Sequence, residues 1–133
     1  MIVVDTSVWV ELLRGTGHPT AVTLESLLTS DSEVAVTEVI VMELMAGARS
    51  RSHLRELRSR MLAFPVLRLE GFADYEEAAL LYRACREGGE TVRALTDCLI
   101  AVPAIRAGAA VLHNDTDFDA ISRHTGLRIY ARL

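Results

Sequence analysis

The sequence predicts an α/β fold: a parallel sheet with helices on both faces. Short β-branched or apolar runs alternate with longer stretches of helical period along the 133 residues. Such alternation is what strands joined by crossover helices produce. The first run, Ile2-Val3-Val4, is apolar throughout and ends at Asp5, as a buried strand would. No repeat, low-complexity tract or linker interrupts the chain, so a single domain over 1–133 is expected.

The elements follow in order. After the strand at 2–4, "TSVWVELLRG" reads as a helix with Val8, Trp9, Leu12 and Leu13 on one side and Gly15 as its stop. Residues 16–20 form a loop and 21–30 a second helix carrying Val22, Leu24, Leu27 and Leu28. A strand at 33–36 leads to Thr37, an N-cap for a helix running through Ala46. An arginine-rich helix spans 51–62, a third strand 66–69, and a helix 72–87 that "GG" at 88–89 terminates. Then come a helix at 94–107, a strand at 109–112, a short helix at 117–124 and a strand at 127–130.

Composition bounds the function. Half of the residues are hydrophobic, enough for a core without disulfides. Cys85 and Cys98 have no metal-ligand spacing and read as reduced thiols of a cytoplasmic protein. The N-terminus has neither the basic start nor the apolar stretch of a signal peptide, and the uncharged run from Cys98 to Ile105 is too short to span a bilayer. A net charge of −4 argues weakly against nucleic-acid binding. Local charge differs from this average: there is no lysine, and Arg49, Arg51, Arg55, Arg58 and Arg60 crowd into one segment.

Several carboxylates stand where they are costly. Glu43 and Asp97 fall in almost wholly apolar helices, where a charge must be paired, hydrogen-bonded or metal-bound. Arg93, four residues before Asp97, is a candidate partner for it. Asp5 ends the first strand, and Asp115, within "HNDTDFD", follows the fourth. If those strands are neighbours, both carboxylates meet at the carboxyl end of the sheet, where such folds bind ligands. Singly, each acid has a plain structural reading: Asp5 or Asp117 as a helix cap, Asp97 favouring a helix dipole, Glu43 on a polar stripe with Glu38. Jointly they form an oxygen-only donor set, which suits Mg²⁺ or Mn²⁺ and two-metal phosphodiester hydrolysis.

The stretches "IVVDTSVW", "TEVIVMELMAGA", "TDCLIA" and "LHNDTDFDAIS" with "TGLRI" match, in order and rough spacing, the PIN-domain ribonucleases. The chain most closely resembles their VapC-type toxins. The resemblance covers nearly the whole chain and implies one PIN domain, with strand order 3-2-1-4-5. It implies an acidic site of Asp5, Glu43, Asp97 and Asp115, supported by Asp117 and by Ser7 holding a metal-bound water. Further implications are Mg²⁺ or Mn²⁺ as cofactor, RNA cleavage by a metal-activated water leaving 5′-phosphate and 3′-hydroxyl ends, a cognate VapB-type antitoxin, and a homodimer. Two departures from the family stand out. Pro103 lies inside the helix carrying Asp97, where it should kink the helix beyond that residue. His113 stands where Thr or Ser is common and is placed outside the site.

Arg49, Arg51 and Arg55 have three readings: a solvated face, an RNA grip, or a contact for an acidic partner. Trp9 reads as core or dimer interface rather than a stacking platform. Phe118 is expected to turn inward and Asp119 to face solvent. A phosphatase of the haloacid-dehalogenase type also places an Asp after strand one, but needs a second Asp two residues on, where this chain has Ser7. A non-catalytic metal- or RNA-binding domain with an acidic pocket is the alternative to the nuclease.

Overall fold

The computed structural model describes residues 1–131. Twelve elements alternate along the chain: β1 (Ile2–Val4), α1 (Thr6–Arg14), α2 (Pro19–Thr29), β2 (Val34–Thr37), α3 (Glu38–Ala46), α4 (Arg51–Met61), β3 (Val66–Leu67), α5 (Phe72–Glu87), α6 (Leu95–Arg106), β4 (Ala110–Leu112), α7 (Thr116–His124) and β5 (Arg128–Ile129). The five strands form one parallel sheet in the order β3-β2-β1-β4-β5, as expected. Central β1 pairs Ile2 with Val34 on one side and with Ala110 on the other.

The strands are central because they are apolar on both faces. Val3, Val4, Ala35, Val36 and Val111 are fully buried. Each buried valine contributes about 1.5–3 kcal/mol relative to exposure. On α1, Val8 and Trp9 are buried; the Trp9 indole N–H donates to Val4 O at 3.0 Å and its ring tilts against Phe64. Trp9 is therefore core. Leu13 departs from the expected stripe and is exposed, as are Val22 and Leu28 on α2.

Local chemistry sets the boundaries. Asp5 caps α1 by accepting from Ser7 N, and Gly15 closes that helix at φ 64°, a left-handed conformation that glycine adopts without strain. Thr37 caps α3 through Ile40 N, as expected. Helix α2 starts earlier than its apolar pattern suggested because Pro19 supplies a preset first turn and His18 caps it. The two edge strands have only two residues each, shorter than expected. At β3 the N–H of Leu69 is taken by Glu38 Oε1 at 2.8 Å, so the chain leaves the sheet there. Pro103 lies within α6, which continues to Arg106.

Candidate active site

The site is built at the carboxyl end of the sheet. Register Val4↔Leu112 brings the ends of β1 and β4 level, and the Asp5 N–H donates to Leu112 O at 2.9 Å. Asp5 and Asp115 thus leave adjacent strands side by side. Asp5 Oδ2 accepts from Ser7 N at 3.0 Å and from Ser7 Oγ at 2.6 Å. The Ser7 hydroxyl accepts in turn from the Asn114 N–H at 3.0 Å. Asp5 is therefore both a helix cap and a member of the rim.

Glu43 reaches the rim from α3 and accepts at Oε1 from the Thr6 hydroxyl at 2.8 Å. It shares no stripe with Glu38, which turns to Leu69 and Arg68. Asp97 sits buried in the first turn of α6. One carboxylate oxygen from each of Asp97, Asp115 and Asp117 lies within 4.8 Å of the other two. Asp115 is the N-cap of α7, accepting from Asp117 N at 3.0 Å; Asp117 is not the cap. Instead, Asp117 turns to the α5–α6 loop and accepts the backbone N–H of Arg93 at 3.1 Å and of Ala94 at 3.0 Å.

Burial dominates the electrostatics. It pushes Asp97 up to about 9, helped by the charge of Asp5, by a shared proton with Asp117, and by the charge of Asp115. Burial would raise Asp117 too, but bonds from the Arg93 and Ala94 backbone and from Asp97 outweigh it and hold this group low. The proton of the pair therefore resides on Asp97. Asp5 is raised by burial against the opposing bonds from Ser7, with Asp115 adding. Burial also raises Glu43, against the Thr6 bond, with Asp5 and Asp115 adding. Clustered carboxylates pushed upward together mark a place that favours added positive charge.

The donor set fits a hard divalent cation. Asp97 Oδ2 is buried without a hydrogen-bond partner, and such an orphan oxygen is what a cation would satisfy. Asp117 fits less well as a ligand, because its oxygens already accept two backbone N–H groups and the Arg93 Nε. It is better placed to orient Asp97.

Arg93 does not pair with Asp97. Its Nη2 lies 3.3 Å from Asp115 Oδ1 and its Nε 3.5 Å from Asp117 Oδ1. Its place depends on the path of the α5–α6 loop, which spacing along a helix does not reveal. Asp119 is half-exposed rather than turned fully outward: its Oδ1 meets His113 Nε2 at 3.1 Å. His113 Nδ1 accepts the Asp115 N–H at 3.1 Å, so the ring buttresses the rim without entering it. Phe118 is fully buried, as expected. Thr6 escaped the sequence reading; its only signal was a hydroxyl between Asp5 and Ser7.

Arg49, Arg51 and Arg55 are all exposed, and none is in an ion pair among the described residues. Arg49 lines a cleft of about 620 Å³ between α1 and α4, together with Arg14, His53 and Arg60. Arg51 and Arg55 do not line it.

Residues 2–124 match the PIN domain, and the chain belongs to that family. Among its relatives are VapC proteins. It is 43% identical over 129 residues to VapC ribonuclease Mb1587 of Mycobacterium bovis and to ribonuclease VapC11 of Mycobacterium tuberculosis, with 96% of each chain covered. The fold is similar to that in the crystal structure of VapBC2 from Rickettsia felis bound to a promoter DNA fragment (TM-score 0.72, 18% identity, 98% of each chain covered). It is likewise similar to VapBC-1 from nontypeable Haemophilus influenzae (TM-score 0.71, 20% identity, 98% of this chain and 97% of that one).

Proposed function

We propose that the protein is a Mg²⁺- or Mn²⁺-dependent endoribonuclease, the toxin of a toxin–antitoxin pair acting in the cytoplasm. The observation that carries this reading is the meeting of Asp5, Glu43, Asp97 and Asp115 at one rim, with Asp97 Oδ2 left unpartnered. The printed names of the relatives, VapC ribonucleases, support RNA as substrate. A divalent cation there supplies an acidified water and offsets charge on the phosphodiester.

The residues divide the work. Asp97 and Asp115 offer oxygens from two elements, and Asp5 adds one from the end of β1. Ser7 and Thr6 aim Asp5 and Glu43 through the bonds described. Asp117 holds the α5–α6 loop beside Asp97 through the Arg93 and Ala94 backbone N–H groups. The cleft lined by Arg14, Arg49 and Arg60 gives the RNA backbone a basic track beside α1 and α3, the helices that carry Thr6 and Glu43. Arg51 and Arg55 extend that charge across the outer face of α4. A cognate VapB-type antitoxin restrains the enzyme; the solved VapBC complexes of similar fold support such a partner. A homodimer is the working assembly.

Purified protein, freed of any partner, should cut total RNA in Mg²⁺ and stop in chelator; Asp5→Asn should be inactive. Cleavage that survives chelator or the substitution would sink the metal-nuclease reading. Metal and RNA binding without turnover would favour a non-catalytic domain.

A further inference from the structure

Among the described residues, Arg93 is the cation paired with the acids of the rim. We propose that its guanidinium is a substrate contact that grips a phosphate of the RNA strand at the mouth of the site. This rests on the nuclease reading above.

The contacts it makes to protein are loose. Nη2 lies 3.3 Å from both Asp115 Oδ1 and Thr116 Oγ1, and Nε lies 3.5 Å from Asp117 Oδ1. Charge-assisted bonds of this type normally close to about 2.7–2.9 Å. The side chain is 73% exposed, and Nη1 has no partner among the described residues. A guanidinium carries five N–H donors in a planar fork that matches phosphate oxygens. Here the two Nη1 donors are unengaged among the described residues, on a side chain that is largely exposed.

The base of the side chain, by contrast, is fixed. The Arg93 and Ala94 backbone N–H groups bind Asp117, and the same loop is tied to α7 by Glu90, which accepts from Arg123 Nε at 2.9 Å and meets His124 Nε2 at 2.6 Å. A loosely engaged, outward-facing cation on an anchored loop is arranged to change partners.

Electrostatics supply the reason to change. The carboxylates gathered at the rim, Asp115 and Asp117 beside Asp97 with Asp5 on the adjacent strand end, present a negative field that repels an incoming phosphate. A cation held by Asp115 would compete with Arg93 for its oxygens. The released guanidinium then lies beside the place where the strand must pass.

The test uses a labelled single-stranded RNA oligonucleotide of mixed sequence. Its affinity is measured by anisotropy in Mg²⁺ at several salt concentrations, for Asp5→Asn and for Asp5→Asn with Arg93→Ala. The bonds from the backbone to Asp117 survive this change, so the loop stays anchored. Loss of one phosphate contact lowers the slope of log affinity against log salt by about 0.7 for a single strand. Arg93→Lys, which keeps the charge, should retain the slope. Calorimetric Mg²⁺ affinity of Arg93→Ala should equal or exceed that of the parent, because a competing cation is gone. An unchanged slope, or weakened Mg²⁺ binding, would overturn the proposal and leave Arg93 serving only the carboxylates. If the wild type cuts no RNA, the nuclease reading falls and this inference with it; if it cuts but the slope is unchanged, only the inference falls.

Discussion

Asn114 donates its backbone N–H to the Ser7 hydroxyl at 3.0 Å across 107 positions of sequence. Because the same hydroxyl donates to Asp5 Oδ2 at 2.6 Å, one oxygen locks the turn after β1 to the turn after β4. Ser7→Ala should cost about 0.5–1.5 kcal/mol of stability, since it deletes the part-buried bond to Asp5 while water can take the exposed Asn114 amide. Urea unfolding measures this. Mg²⁺ affinity should fall too, and wild-type affinity in a folded Ser7→Ala protein would remove Ser7 from the site.

Asp97 makes stability depend on pH in an unusual direction. Its folded pKa is raised by burial to about 9 from an ordinary 3.8. Between those values the folded state holds a proton that the unfolded state has lost. Metal-free stability therefore declines as pH rises from about 4 to about 9 and levels off above. Asp97→Asn should flatten this slope in chelator and unfold at higher denaturant than wild type at pH 8, while losing Mg²⁺ binding. In the wild type, Mg²⁺ binding should strengthen with pH over the same window, because a bound cation must displace the proton. A wild-type stability that does not fall with pH in chelator would contradict the assignment.

Thr6 and Glu43 should behave as a coupled pair. The Thr6→Val and Glu43→Gln single variants and the double variant form a cycle whose coupling energy is about 0.5–3 kcal/mol for residues in contact. Glu43→Gln, which removes a carboxyl that burial already disfavours, should not destabilise the metal-free protein, yet should slow RNA cleavage. Additive effects in thermal unfolding would show that the 2.8 Å bond carries no energy.

Gly88 is held small by a neighbour. A Cβ there would collide with the His124 ring, which pairs with Glu90. Gly88→Ala should cost about 1–3 kcal/mol and displace His124 from Glu90, whose pKa the Arg123 and His124 bonds hold down at about 2, leaving the Arg123 bonds in place. NMR titration of Glu90 checks this: its pKa should rise, but stay below 4.5 because Arg123 still holds it.

Elements with strong local chemistry were legible in the sequence. Apolar Ile2–Val4, the Thr37 cap and the Gly15 stop all fall where expected. The rim acids could be singled out because charge in apolar segments is costly. What escaped depends on chain path rather than local pattern. Arg93 lies one turn before Asp97 in sequence, but the loop carries it across to Asp115 and Asp117. Asp115 rather than Asp117 caps α7, a choice between adjacent acids that propensity cannot make. The edge strand β3 ended early because Glu38, thirty-one residues from Leu69, took a backbone donor.

Placing β1 between β2 and β4 also sets a timetable. Strand β1 waits for a neighbour made more than a hundred residues later. A nascent chain that has not yet delivered β4 and α7 carries Asp5, Glu43 and Asp97 but has no level strand end beside β1 and neither Asp115 nor Asp117. On the proposed reading, a ribosome that has not yet delivered β4 and α7 holds an unarmed chain, so the message is safe from its own half-made product.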